Sequence, residues 1–175
     1  MKKTLLVLLS LAALAAFVGC SNSAGSSGSS GNSSSGGPDL SGVTDTSASW
    51  TRTTGWFKNE RPYEFTTEDK SSYNGNPWGD GTKFSLANPG SITIIKIIVY
   101  SGNNLTYQGT RDVNQTITST QLELGAYGAI AWMENNGSIS IALNDTWNTS
   151  NTMNANQRCV IVFGNNTKLE IYTGM

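Results

Sequence analysis

The apolar residues that follow Gly37 are distributed in short runs rich in Ile, Val, Thr and aromatic residues, and clusters of Gly, Asn and Asp separate these runs. No stretch of this part shows the period of an amphipathic helix. Short runs at this spacing are typical of antiparallel strands joined by tight turns. We therefore predict an all-β domain, an antiparallel β-sandwich of jelly-roll or immunoglobulin-like type with about eight to ten short strands.

Residues 92–100 form the clearest predicted strand, because apolar side chains occupy almost every position. A strand that is apolar on both faces is typical of the interior of a sheet. Strict alternation divides its side chains into two sets, which are Ile95, Ile97 and Val99 on one face and Ile92, Ile94, Ile98 and Tyr100, interrupted by Lys96, on the other. Weaker strands are predicted over residues 49–57, 63–66, 83–87, 113–118 and 121–124.

Two β-hairpins are predicted where turn-forming residues separate apolar segments. One covers residues 128–143 around Asn-Asn-Gly at 135–137, and the other covers residues 159–172 around Gly-Asn-Asn at 164–166. Asn and Gly tolerate the positive φ of a tight turn. In the second strand of the first hairpin, alternation predicts one buried and one solvent-facing set, Ile139, Ile141 and Leu143 against Ser140 and Ala142.

The chain begins with Lys2 and Lys3 and an almost wholly apolar segment over residues 4–18. This segment is shorter than the ~20 apolar residues that cross a bilayer as a helix. A basic start followed by an apolar segment of this length is typical of a cleavable export signal. We expect residues 1–19 to be removed as a signal peptide.

The sequence Phe-Val-Gly-Cys at residues 17–20 resembles the lipobox of bacterial lipoproteins, in which a small residue precedes the modified cysteine. The resemblance implies that the Cys20 sulfur receives a diacylglyceryl group, that cleavage falls before Cys20, and that the new amino group is acylated. Acyl chains anchor a protein because each buried methylene contributes about 0.8 kcal/mol. Ser21, rather than Asp, after the cysteine favours the outer membrane or cell surface over the inner membrane, by resemblance to enterobacterial sorting.

Residues 21–37 consist of Ser, Gly and Asn with one Ala, and they carry no charge and no large apolar side chain. Such a composition does not bury enough surface to offset the entropy of ordering, so we expect a disordered tether. Its root-mean-square reach is roughly 20–25 Å. The predicted organisation is a signal peptide at residues 1–19, the lipidated cysteine and tether at residues 20–48, and one β-sandwich domain at residues 49–175.

Composition excludes several classes of function. Two of the 11 basic residues are lost with the signal peptide, so the mature chain has fewer basic residues than its 12 acidic ones. The sequence contains no cluster of basic residues of the kind that binds nucleic acid. The chain has no histidine, which removes Ser-His and Cys-His nucleophile pairs and HExxH zinc sites. Cys159 opens an apolar run and is expected to be a buried core residue without a disulfide partner. No metal or other cofactor is predicted.

Two long connections, residues 66–81 and 144–156, carry the candidate ligand-binding residues. These residues are Trp78, Asp80, Asn144, Trp147 and Asn148. Loops of this length are typically functional or disordered. An aromatic ring stacks on the C–H face of a sugar, and nearby amides and carboxylates bond its hydroxyls. The competing interpretation is that Trp78 and Trp147 fold back to cap the ends of the sandwich. The other three tryptophans are predicted to lie in the core; they are Trp50, Trp56 and Trp132.

Part of the domain resembles the jacalin-type lectins. Residues 75–81, Gly-Asn-Pro-Trp-Gly-Asp-Gly, followed by residues 94–102, are similar to the Gly-rich turn and first long strand of that family. Residues 162–164 and 169–172 are similar to its closing hairpin. The resemblance implies sugar binding, but the family's sugar-binding aspartate falls near Lys168, so no binding residue carries over.

We expect a membrane-anchored, non-catalytic binding lipoprotein of the cell envelope, with a glycan as its ligand. One alternative is a structural lipoprotein that contacts envelope proteins through a sheet face or edge. A second is a small glycoside hydrolase, for which one cluster supplies candidate carboxylates: Glu60, Glu64, Glu68 and Asp69, with Arg52, Lys58 and Arg61 nearby. The expected partners are the lipid bilayer, through Cys20, and a glycan or envelope protein.

Overall fold

The computed structural model describes residues 36–59, 63–102, 104–125, 128–144 and 157–173. In this part of the chain, eleven β-strands form two sheets. Sheet A contains, in spatial order, β1 (Thr44–Asp45), β11 (Thr167–Thr173), β10 (Gln157–Phe163), β5 (Thr93–Ser101) and β6 (Thr106–Thr116). Sheet B contains β3 (Phe65–Thr66), β2 (Thr51–Phe57), β4 (Gly79–Leu86), β9 (Ile139–Asn144), β8 (Ile130–Met133) and β7 (Leu122–Glu123). The predicted all-β sandwich is confirmed.

The strand count exceeds the expectation because β1, β3 and β7 contain two residues each. Neighbouring strands pair antiparallel, except that β1 pairs with β11 in parallel. Two single-turn 3-10 segments, Ser47–Ser49 and Lys70–Ser72, interrupt the strand pattern. Within the described ranges, no helix is long and apolar enough to cross a membrane.

Both predicted hairpins are confirmed by strand pairing. β8 pairs with β9 across the turn that contains Gly137, and β10 pairs with β11 across the turn that contains Asn166. Gly137 has a φ of +79° and Asn166 a φ of +60°, values that glycine and asparagine adopt at low cost. The turn residues therefore set the register of both hairpins.

The core lies between the sheets, and isoleucine is its commonest residue. Ile139 and Ile141 of sheet B are fully buried against Ile94, Ile97 and Ile161 of sheet A. Strand β5 pairs with both β10 and β6, so its predicted central position is confirmed. Burial of each such side chain contributes about 1.5–3 kcal/mol to the free energy of folding.

A β-bulge at Ile95 changes the predicted faces of β5. Val162 pairs with Lys96 but Phe163 pairs with Ile94, so Ile95 is the extra residue in the register. As a result Ile94 and Ile97 both face the core, contrary to the strict alternation expected from the sequence. Ile95 remains half-buried.

The outer faces of both sheets are partly covered by other segments of the chain. On sheet A, Leu40 and Val43 pack over a cluster centred on Ile98 and Val160. On sheet B, the connection between β2 and β4 packs aromatic rings over the cluster of Phe57, Ile130 and Ala142; the rings belong to Tyr63, Phe65 and Trp78. All six residues of β9 are therefore buried, and the predicted solvent exposure of Ser140 and Ala142 is wrong.

Two of the three core assignments for tryptophan are confirmed, since Trp50 and Trp56 are 7% and 4% exposed. Trp132 is instead half-buried and packs on the outer face of sheet B, so its assignment to the core between the sheets is wrong. Cys159 is buried as expected, and desolvation raises the pKa of its thiol to about 12. The Cys20 lipidation site and the predicted tether up to residue 35 lie outside the described residues.

Candidate functional site

A polar groove lies on the outer face of sheet B, beside the turn between β8 and β9. Residues that pair directly across antiparallel strands share a face, and one such row contains Thr51, Ser85, Ser140 and Trp132. The groove has a volume of about 390 Å³ and opens to solvent. Its lining is almost wholly polar: Lys83, Ser85, Glu134, Asn135, Asn136, Ser138 and Ser140.

The floor of the groove is formed by two serine hydroxyls with a defined direction of hydrogen bonding. Ser140 Oγ donates to Glu134 Oε1 at 2.9 Å, and Ser140 Oγ lies 3.1 Å from Ser85 Oγ. Because a hydroxyl has a single proton to donate, Ser85 must donate to Ser140. This leaves the lone pairs of Ser85 Oγ to accept hydrogen bonds from a bound molecule.

One cation and one carboxylate face each other at this groove. Lys83 Nζ lies 3.5 Å from Glu134 Oε1 and 5.8 Å from the centre of the Phe65 ring. The side chains of Lys83 and Glu134 are 26% and 34% exposed, so both reach solvent. The positive charge of Lys83 and the negative charge of Glu134 offset each other, so the site suits a neutral polar ligand better than a strongly charged one.

Aromatic side chains lie on the same face of the sheet as the groove, although they are not among its lining residues. Trp132 lies directly across from Ser140 in the register and packs on the cluster that contains Ile130 and Ala142. Gly55 lies under this layer, where a Cβ would lie 2.6 Å from the Phe65 ring and closer still to Thr66 O. Glycine at this position therefore lets the Phe65 ring lie directly on the sheet.

The structure brings together only some of the residues predicted to bind a ligand. Trp78 and Asn144 both approach Gly128, where a Cβ would lie 2.7 Å from the Trp78 ring and 3.4 Å from Asn144 Cβ. Trp78 is half-buried between Phe57 and Tyr63, with ring centres at 5.4 and 4.9 Å. This packing agrees with the competing interpretation of Trp78 as a capping residue.

Asp80 is separated from Asn144 because its side chain points to the opposite face of β4 from Gly79, which Asn144 contacts. Its carboxylate accepts a hydrogen bond from Lys70 Nζ at 2.8 Å and is 66% exposed. Asn144 is buried at the end of β9 and does not lie in a loop. Trp147 and Asn148 fall outside the described residues.

Two of the carboxylates proposed for a hydrolase, Glu64 and Glu68, are engaged by the same cation. Lys58 Nζ lies 3.1 Å from Glu64 Oε1 and 3.0 Å from Glu68 Oε2, and these hydrogen bonds raise the pKa of Lys58. Asp69 accepts a hydrogen bond from the Ser71 backbone N–H and thereby caps the second 3-10 segment. The remaining members, Glu60 and Arg61, lie outside the described residues. No group of three or more potential metal ligands occurs among the residues described.

A second polar cluster lies on the outer face of sheet A, and its side chains bond to one another. Glu170 accepts two hydrogen bonds from Arg158, at 3.0 and 2.8 Å, and one from the Tyr172 hydroxyl at 2.7 Å. Arg158 lies between the rings of Tyr100 and Tyr172, 4.8 and 5.7 Å from their centres. Lys168 adds an ion pair with Glu170. These groups satisfy one another and leave little free capacity to bind a ligand.

Sequence reasoning missed the groove because its residues come from two strands, β4 and β9, and one turn. The available signal was the hairpin turn at residues 135–137, which fixes the register and places Trp132 opposite Ser140. Gly79, Asp80 and Gly81, compared above with a Gly-rich turn, belong to strand β4. Comparison with protein-family models, with curated protein sequences and with solved structures finds no match for this chain.

Proposed function

We propose that the domain is a non-catalytic carbohydrate-binding module that holds a neutral glycan in the groove on the outer face of sheet B. The observation that carries this proposal is the combination of a polar groove with the half-buried Trp132 ring next to its serine floor. Sugars combine apolar C–H faces with many hydroxyls. Recognition therefore requires an aromatic surface beside closely spaced donors and acceptors.

The donors and acceptors of the groove match a sugar hydroxyl array. Ser85 Oγ and Glu134 offer acceptors, whereas the amides of Asn135 and Asn136 offer both donors and acceptors. A volume of about 390 Å³ accommodates a small saccharide. An open groove also allows a longer glycan to continue beyond the bound unit.

The proposed attachment to a membrane through Cys20 is compatible with this site. The chain enters the domain near Gly37, whose Cα lies against the Tyr100 ring on the outer face of sheet A. The groove lies on the outer face of the other sheet, beside Ser85 and the turn at residues 134–138. We propose that the module captures glycans at the cell envelope, on the outer membrane or cell surface.

Strand β6 supports a second candidate function, the binding of an envelope protein at a sheet edge. It contains 11 residues and forms one edge of sheet A. Exposed edges pair readily with strands of other proteins. Register shifts opposite Val99 and Ile94, however, interrupt the regular spacing of β6, and such bulges oppose edge pairing. The hydrolase alternative is less favoured because Glu64 and Glu68 share the Lys58 cation.

The test is a glycan array probed with the full-length protein in detergent, followed by titration of each glycan that binds. We expect Trp132→Ala to weaken binding about fivefold or more, since stacking on an aromatic ring contributes about 1 kcal/mol or more. Asn135→Ala should also weaken binding because it removes a groove amide. The matched controls are Tyr172→Ala, an exposed aromatic residue on sheet A, and Asn74→Ala, an exposed amide outside the groove.

Three outcomes contradict the groove as the site. Absence of binding across envelope and host glycans removes the carbohydrate hypothesis altogether. Binding that persists in both Trp132→Ala and Asn135→Ala excludes the groove. Binding that is lost only in Trp78→Ala moves the glycan site to the opposite end of sheet B, and binding that is lost only in Trp147→Ala excludes the groove as the site. Thermal unfolding of each variant establishes that lost binding does not reflect lost structure.

A further inference from the structure

Two Asn-Gly pairs occur in the chain, Asn74-Gly75 and Asn136-Gly137, and both asparagine side chains are exposed. The side-chain amide of asparagine is chemically labile. It is attacked by the main-chain nitrogen of the following residue, and glycine hinders this attack least because it has no Cβ and its backbone rotates most freely. In a folded protein, the hydrogen bonds that hold the two residues decide whether the attack occurs.

The pair Asn136-Gly137 is held by hydrogen bonds in the turn between β8 and β9. Gly137 N–H donates to Glu134 O at 2.9 Å, so the proton that the attacking nitrogen must lose is bonded to a carbonyl oxygen. Asn136 Oδ1 accepts a hydrogen bond from Ser138 N–H at 3.0 Å, which fixes the side-chain amide. The reaction at Asn136 therefore requires the turn to open, and opening breaks both hydrogen bonds.

The pair Asn74-Gly75 is free of such hydrogen bonds. It lies in the irregular connection between the second 3-10 segment and β4, where residues 74–77 are all exposed. Among the residues that the structure describes, neither Asn74 nor Gly75 donates or accepts a hydrogen bond. The Gly75 nitrogen therefore reaches the Asn74 side chain through local rotation, without the loss of a native hydrogen bond.

Both ends of this exposed segment are fixed to the domain. Tyr73 packs on Trp56 with ring centres 5.1 Å apart. At the other end, Trp78 N–H donates to Phe57 O at 2.9 Å. A chemical change confined to residues 74–77 leaves these two contacts in place, so the domain remains folded after the change.

We propose that Asn74 is a site of spontaneous deamidation in the folded domain, and that the turn suppresses the same reaction at Asn136. Gly75 N attacks Asn74 Cγ, the new N–C bond forms as the Cγ–Nδ2 bond breaks, and ammonia leaves with the proton of Gly75 N. Water then breaks one of the two C–N bonds of the cyclic imide and returns a proton to the nitrogen, which gives aspartate or isoaspartate.

Each product adds one negative charge at a position that does not line the groove. The groove residue Asn136, in contrast, keeps its neutral amide because its turn stays closed. The modification is therefore independent of the proposed glycan site.

The test is incubation of the full-length protein at mildly alkaline pH, with the conversion of each asparagine followed by peptide mass spectrometry and chromatographic separation of the isoaspartate form. We expect Asn74 to convert about tenfold or more faster than Asn136, because two hydrogen bonds must break before Asn136 reacts. Asn76 is the control within the same peptide, since Pro77 has no N–H with which to attack. Asn74→Gln, whose longer side chain closes a ring much less readily, should abolish conversion at this position.

A parallel incubation in urea measures the two pairs without the fold, and there we expect them to convert at similar rates. The proposal fails if Asn74 stays unconverted in the folded protein while both pairs convert in urea. It also fails if Asn136 converts as fast as Asn74 in the folded protein, or if the same difference persists in urea, because the fold then does not set the difference. These comparisons use the unmodified protein, so they do not depend on the folding of a variant.

Discussion

At the scale of single residues, Glu170 is a carboxylate whose pKa is strongly lowered by its neighbours. Its burial acts to raise its pKa, but hydrogen bonds from Arg158, Lys168 and Tyr172 outweigh burial and lower the pKa to about 2. Burial and the bond to Glu170 raise the pKa of the Tyr172 hydroxyl to about 12. The cluster is therefore held together by an ionised carboxylate and a protonated phenol.

Stability should depend on pH through Glu170. Because the pKa of Glu170 falls from 4.5 to about 2 on folding, its contribution is complete above pH 4.5 and is lost as the pH falls toward 2. We expect Glu170→Gln to lower the free energy of unfolding at pH 7 by on the order of 2 kcal/mol, a value reduced for partial solvent screening. The difference between variant and wild type should shrink at pH 3.

Urea unfolding at pH 7 and pH 3 measures this difference. Asp112→Asn, which removes an exposed carboxylate on β6, is the matched control and should show a much smaller effect at pH 7. A Glu170→Gln variant that is equally destabilised at both pH values contradicts the role of the ionised carboxylate. A variant as stable as wild type at pH 7 contradicts any net contribution from the cluster.

Cys159 should not react with thiol reagents in the folded domain. Its side chain is 1% exposed, and desolvation raises its pKa to about 12, so the nucleophilic thiolate is scarce at neutral pH. We expect no fast-reacting thiol in the mature protein if Cys20 is acylated, and reaction of Cys159 only in denaturant. The unprocessed precursor is the control, since its Cys20 thiol should react at once. Rapid labelling of Cys159 without denaturant contradicts the packing of the core.

At the scale of elements, Gly55 determines how β3 packs on β2. A Cβ at this position would lie 2.3 Å from Thr66 O and 2.6 Å from the Phe65 ring. Since Thr66 O belongs to the backbone, it does not move away as freely as a side chain. We expect Gly55→Ala to lower the free energy of unfolding by about 1–3 kcal/mol. Gly42→Ala, where a Cβ meets nothing within 4 Å, is the control, and equal stabilities contradict the prediction.

The strands and hairpins could be predicted because their signals are local. Runs of β-branched residues mark the strands, and Asn-Gly and Gly-Asn-Asn sequences mark the turns of the β8–β9 and β10–β11 hairpins. The buried state of Cys159 followed from its apolar neighbours in the same way. Local patterns also indicated that β5 is central, since both of its faces are apolar.

Features that depend on the contacts between distant segments could not be predicted. The bulge at Ile95 moves Ile94 and Ile97 to the same face. A prediction from strict alternation assumes that no extra residue is inserted in the strand, so it assigns these two residues to opposite faces. The burial of Ser140 and Ala142 depends on rings from the β2–β4 connection, which lies more than fifty residues earlier. The same layer packs on the outer face of sheet B together with Trp132.

At the scale of the whole molecule, the sandwich separates the point where the chain enters the domain from the proposed binding groove. Gly37, Leu40 and Val43 lie on the outer face of sheet A near Tyr100. Asn135 borders the groove on the other sheet, at the end of the sandwich far from Tyr100. The thickness of two packed sheets, about 10 Å between backbones, adds to this separation.

If Cys20 anchors the protein, a residue near the start of the domain should approach the bilayer more closely than a residue beside the groove. Ser41 and Asn135 are both exposed and serve as labelling positions, and the buried Cys159 should not compete for the dye. We expect energy transfer to a dye on the lipid headgroups to be higher for labelled Ser41→Cys than for labelled Asn135→Cys in vesicles that carry the acylated protein. A Cys20→Ser protein, which has no acyl attachment, should show little transfer from either position. Equal transfer from both positions of the acylated protein means that the domain rotates freely on its tether. Higher transfer from labelled Asn135→Cys means that the groove faces the bilayer and is not presented to ligands outside it.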